Sequence, residues 1–102
     1  MKSALDLATA YGVTVEFTDL GDWGAAELRS EYDPHGRVIR INERLSSKLD
    51  EPLRNEFVAH CIFHEIYHHR EAIGEVRRQH SRRAREAAAE AYARAMLALA
   101  AG

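Results

Sequence analysis

From Ser81 to Ala100 the chain is dominated by Ala, Arg, Glu and Leu. These residues lose little in a helix, so helix is the only regular structure open to the segment. A second helical pattern runs from Asp50 to about Ile73. Asp50 is placed to cap it, Pro52 is tolerated in its first turn, and Gly74 can take the left-handed position that ends it. With only the region around Gly74 to Ser81 between them, the two helices can fold back antiparallel against each other.

The N-terminal half reads differently. Residues 3 to 10 are rich in Ala and Leu, with Ser3 as a cap and Tyr11-Gly12 as a stop, which predicts a short first helix. Val13, Val15 and Phe17 then alternate with Thr14, Glu16 and Thr18, a period of two that fits a strand with one face buried. After a loop from Asp19 to Gly24, the stretch from Ala26 to Tyr32 alternates again in a more polar pattern that suits an edge strand. Asp33-Pro34-His35-Gly36 is turn chemistry, Pro34 presetting one dihedral and Gly36 accepting a positive one. Arg37 to Asn42 returns as a third strand through Val38, Ile39 and Ile41. The expected class is α+β: a short three-stranded antiparallel sheet packed on two long helices, plus a short N-terminal helix.

A chain of 102 residues has room for one hydrophobic core, so residues 1–102 are read as a single domain. Hydrophobic residues at 46% and charged residues at 29% exclude the composition of a disordered chain. A formal net charge of -2 gives no global field to draw the protein to nucleic acid or anionic lipid. Cys61 stands alone, which rules out an intramolecular disulfide and suits a reducing compartment. Asp6 interrupts what would be the apolar core of a signal peptide, and no run of about 18 apolar residues occurs. A cytoplasmic location with no membrane partner is the expectation.

The chemistry is concentrated in His64-Glu65-Ile66-Tyr67-His68. Helix residues advance by about 100° each, so His64 and His68 sit one turn apart with both imidazoles able to reach one ion. Glu65 lies beside that ion, where a carboxylate can accept a proton from activated water as general base. Imidazole suits zinc, and a catalytic zinc site takes three protein ligands with a position left open. A third histidine at the spacing H-E-x-x-H-x-x-G-x-x-H is excluded, because Glu71 stands at the glycine position and Gly74 at the histidine position. The last helix instead offers Glu86 and Glu90, one turn apart. Either can be the third ligand; Glu86 is preferred, with Glu90 hydrogen-bonding a ligating histidine from behind.

Other residues near the motif have plainer explanations. His60 falls on the same face one turn earlier and reads as a satisfied, half-buried side chain before it reads as a ligand or donor. His69 points away from that face and is expected in solvent. His80, Tyr67 and Tyr92 could each stabilise an oxyanion, although the tyrosines are equally good core residues. Cys61 reads as inert packing. Arg77, Arg78, Arg82, Arg83 and Arg85 form a basic cluster without interleaved aromatics, a solvated helix face rather than a nucleic-acid site. The polar strand from 26 to 32 is either a substrate-pairing edge or an edge kept charged against aggregation.

Three stretches carry a family likeness that spans most of the chain: Tyr32 to Asn42, Asn55-Glu56-Phe57-Val58-Ala59 with the motif that follows, and Glu86-Ala87-Ala88-Ala89-Glu90-Ala91-Tyr92-Ala93. Together they resemble the ImmA/IrrE family of metallopeptidases, with its hairpin and strand, its run into H-E-x-x-H, and its later helix E-x-x-A-[ND]-x-[FY]-A. The chain is also similar in size to minimal gluzincins. Glu90 departs from the usual Asn or Asp, and Ala59-His60-Cys61-Ile62-Phe63 is longer than the family's link into the motif. The resemblance implies a zincin-like fold, Glu86 in the ligand position, and limited proteolysis of a specific protein, often a transcriptional repressor. The expectation is therefore a zinc metallopeptidase using His64, His68, Glu86 and Glu65. Its rivals are a zinc-binding but catalytically silent or self-inhibited module and, more remotely, a nucleic-acid-binding helical protein.

Overall fold

In the computed structural model, residues 3–21 and 28–101 are described. Ser3 opens helix α1 (Ala4–Ala10) through a capping box: its hydroxyl accepts from the Asp6 N–H at 3.1 Å while its own N–H donates to Asp6 Oδ2 at 3.2 Å. Gly12, at φ +70°, turns the chain out of the helix. Strand β1 (Thr14–Thr18) follows, then β2 (Ser30–Asp33), β3 (Val38–Asn42), a four-residue helix α2 (Glu43–Ser46), and the long helices α3 (Leu53–Ala72) and α4 (Arg82–Ala101).

The sheet is mixed, and the expected all-antiparallel arrangement is corrected on this point. Its order is β1-β3-β2, with β2 antiparallel to β3 but β1 parallel to it, pairing Thr14 with Val38 and Thr18 with Asn42. Residues Ala26 and Glu27 of the expected second strand, and Asp22, Trp23 and Gly24 of the expected loop, lie outside the described residues; pairing begins at Ser30. β3 takes the centre, and Ile39 and Ile41 on its inner face are both completely buried. On its other face Arg40 meets its register partners Glu16 and Glu31 at 3.8 and 3.5 Å, with Asp33 at 3.4 Å. Phe17, expected on the buried face of β1, is instead half exposed at the edge of the sheet.

Local chemistry departs from expectation at three more places. In the hairpin turn the left-handed residue is Arg37 (φ 52°), not Gly36, where a Cβ would meet Val38 Cγ2 at 3.3 Å. Asp50 does not cap α3 with its side chain; Pro52 holds the cap position, and Asp50 contributes only its carbonyl, to the N–H of Arg54. α2 occupies what reads in sequence as a polar stretch. Buried Asn42 begins it, accepting from the N–H groups of Arg44 and Leu20 and donating to the carbonyls of Gly21 and Leu28.

The core joins Ile39 and Ile41 of the sheet to Ile62, Phe63 and Ile66 of α3, with Ala4 and Ala8 of α1 and Ala93 of α4. Each large side chain shut away in this way contributes about 1.5–3 kcal/mol relative to exposure. Gly74 (φ +76°) ends α3 as expected, and Ser81 accepts from the N–H of Ala84 to open α4. α4 lies on α3, with Ala89 and Ala93 fully buried. No helix among the described residues is long and apolar enough to cross a membrane.

Candidate metal centre

α3 sets the histidines and α4 brings a carboxylate to them. Ligand-type atoms of His64, His68 and Glu86 lie within 4.8 Å of one another. Each imidazole aims Nε2 at Glu86: His64 Nε2 is 3.4 Å from Oε1, and His68 Nε2 is 2.6 Å from Oε2. The rings meet edge to face with centroids 5.2 Å apart.

Behind each ring stands a second carboxylate. His68 Nδ1 is 2.7 Å from Glu71 Oε1, and His64 Nδ1 is 3.5 Å from Glu90 Oε2. An Nδ1–H donated to a carboxylate leaves the Nε2 lone pair for a cation and raises its basicity. Burial pushes the Glu71 carboxyl up, but hydrogen bonds to His68 and Arg85 outweigh it and hold the group below the usual range. It is therefore an anion, as an acceptor behind His68 must be.

Glu65 is buried in the angle between α3 and β2, where its Oε2 accepts from the Ser30 hydroxyl at 2.7 Å. Burial raises its pKa, and the Ser30 hydrogen bond opposes the rise. A carboxyl with a weakened hold on its charge, next to a cation-binding set, has the character of a proton-accepting base.

The donor set fits zinc chemically. Tetrahedral bonds of about 2.0–2.2 Å separate donors by roughly 3.4 Å. His68 Nε2 and Glu86 Oε2 are closer than that and must part by less than about 1 Å. Glu86 can supply this movement, because its side chain is 53% exposed.

Among the other sequence candidates, His60 does not join the convergent group: its Nε2 is satisfied by Glu90 Oε1 at 2.5 Å. Its partner Glu90 thus serves both His60 and His64. Cys61 is buried, and that burial pushes its thiol up to about 11. Tyr67 and Tyr92 pack on each other at 5.6 Å, with the Arg70 guanidinium over the Tyr92 ring, and His80 is exposed in the connection. His69 is corrected outright. It is 2% exposed, wedged between the Tyr11 and Tyr32 rings, with Nδ1 bonded to the Tyr32 hydroxyl. Arg85 is not a free surface arginine either, since Nη2 bonds Glu71 at 3.3 Å.

Three contributors escaped the sequence: Glu71, Ser30 and Arg85. The spacing of Glu71 from His68 carried a signal, since helix residues three apart are neighbours. Ser30 carried none, because only the packing of β2 on α3 brings it to Glu65.

Two recesses flank the site, one of about 210 Å³ and one of about 730 Å³. Leu28, Ser30, Glu65 and Glu86 line both, so they form one groove running past the motif beside β2. β2 is one of the two outer strands of the sheet, with one edge unpaired among the described residues. Comparison with family models, curated proteins and solved structures finds no significant match to this chain.

Proposed function

We propose that this chain is a zinc-dependent peptidase with a zincin-like site, in which His64, His68 and Glu86 hold the ion and Glu65 is the general base. The observation that carries the proposal is convergence. Two Nε2 atoms and a carboxylate meet within 4.8 Å, while a further carboxylate stands at each Nδ1. Histidines that merely sat on a helix surface would need neither the backing carboxylates nor a buried Glu65 beside them.

When bound, zinc supplies Lewis acidity, polarising a carbonyl and making nearby water easier to deprotonate. The Ser30 hydroxyl occupies Glu65 Oε2. That leaves Oε1 to take a proton from the attacking water and return it to the departing amine. Glu71 holds His68 in the tautomer that presents Nε2, and the charge of Glu90, 3.5 Å from His64 Nδ1, favours the same tautomer there. The edge of β2 that is unpaired among the described residues supports an extended peptide by backbone pairing. The ImmA/IrrE resemblance makes the substrate a specific protein, with a transcriptional repressor the first to try, and the buried lone cysteine fits a cytoplasmic setting.

Elemental analysis of protein purified without a histidine tag is expected to find stoichiometric zinc in the wild type and little in His64→Ala. At equal zinc content, Glu65→Gln should lower peptide hydrolysis by about 10²–10⁴-fold, the usual contribution of a general base. Activity that persists in the variant rejects the mechanism. Zinc without turnover in the wild type makes the chain a catalytically silent zinc-binding module, whose groove serves recognition alone.

A further inference from the structure

The larger recess changes sign along its length. Following α4 toward its start, the lining passes from Glu86 through Arg85 to Arg82 in the first turn, and Arg78 follows in the connection from α3. The carboxylates in the same lining have partners already. Glu71 meets His68 and Arg85, Glu65 meets Ser30, Glu86 meets the two histidines, and Glu31 meets Arg40. Arg78 and Arg82 have no carboxylate within ion-pair distance among the described residues. The groove therefore ends in two exposed guanidinium groups whose charge nothing in the described fold balances.

We infer that this arginine end receives a carboxylate of the substrate, so that the peptide held at the metal centre is an acidic one. The inference rests on the peptidase proposal for its class of ligand. Guanidinium groups bind carboxylates through paired N–H donors, with direction as well as charge. Arg82 lies four residues before Glu86 on the same helix, a displacement of about 6 Å along the axis. An extended peptide advances about 3.4 Å per residue, so the favoured carboxylate lies within a few residues of the bond to be cut. A nucleic acid suits the groove less well. Apart from His68, which is engaged by Glu71 and Glu86, its lining offers a single aromatic ring, Tyr32, for stacking, and it carries Glu31, Glu65, Glu71 and Glu86 against a phosphate chain.

The test measures binding with zinc-loaded Glu65→Gln protein, so that no peptide is consumed. A labelled peptide carries one Glu walked along its length, with matched Gln peptides and with the C-terminus either free or amidated. At one position Glu should bind about tenfold tighter than Gln, or the free acid tenfold tighter than the amide. The first result assigns the carboxylate to a side chain and the second to a chain end. Either preference should vanish in Arg78→Ala/Arg82→Ala and survive in Arg77→Ala/Arg83→Ala, which removes the same charge from outside the groove lining.

Equal binding of charged and neutral peptides overturns the inference. So does equal loss in both double variants, which would reduce the effect to net charge, and so does an oligonucleotide that outcompetes every acidic peptide. Wild-type hydrolysis that ignores peptide charge overturns this inference and leaves the peptidase proposal standing. A carboxylate preference without zinc or hydrolysis does the reverse.

Discussion

A histidine that binds metal through Nε2 is only as well aimed as whatever holds its Nδ1. For His68 that group is Glu71, whose side chain is 1% exposed and so has no competing engagement with solvent. Glu71→Gln keeps the volume while removing the charge that makes the ring a better donor. Zinc affinity should fall by about 10–100-fold, measured by competition with a chelating dye, whereas unchanged affinity would show that His68 needs no such support. At this scale the sequence was legible where one helix carries both partners. His64, Glu65 and His68 could be placed from spacing alone. His69 was misread because its side of α3 faces not solvent but Tyr11, just after α1, and Tyr32 of β2, and no pattern within α3 reveals what lies against it.

Among the elements, both long helices were legible from composition and α1 from its Ser3 cap, because these act locally, whereas the expected Asp50 cap of α3 was not borne out. The strands were legible as strands, and β2 and β3 in their antiparallel direction, but the direction of β1 was not. A period of two fixes which side chains point inward and is the same whichever way the neighbour runs, so the parallel pairing of β1 with β3 could not be read from it. The four residues of α2 are too few to display a helical period. The β2–β3 hairpin was foreseen from its turn, and it carries a titration that can be measured. Backbone N–H groups of Gly36 and His35 donate to Asp33 and hold its carboxyl below the ordinary value, with Arg40 adding to the effect. A carboxyl with a depressed folded pKa stabilises the fold above its unfolded value of about 3.9 and loses that contribution as the pH falls further. Asp33→Asn should therefore flatten the decline of stability below about pH 4 in chemical denaturation, while leaving the pH 7 to 5 segment parallel to wild type.

For the molecule as a whole, a ligand that binds only the assembled α3–α4 pair must stabilise the fold by mass action. Free zinc at about a hundred times its Kd adds about 2.7 kcal/mol. A chain of this size gains roughly 4–8 °C in Tm per kcal/mol, so a melt with and without zinc should differ by at least about 10 °C. His64→Ala should melt at the same temperature in both; an equal rise in that variant would mean zinc acts elsewhere. This long-range convergence was the part of the site least visible in sequence. Spacing named Glu86 and Glu90 as alternatives, and the return of α4 sets Glu86 toward both Nε2 atoms and Glu90 toward His60 and a Nδ1.

Ala89 and Ala93 share the stripe of α4 that carries Glu86 and are closed completely against its neighbour. Axial separation of packed helices depends on the side chains at the contact, so in the proposed site two methyl groups act as the calliper that sets Glu86 against the two imidazoles. A bulkier residue there touches neither cation nor peptide. Yet it parts the two helices, and if the proposed site holds an ion, the fit to that ion is set from the dry side of the helix.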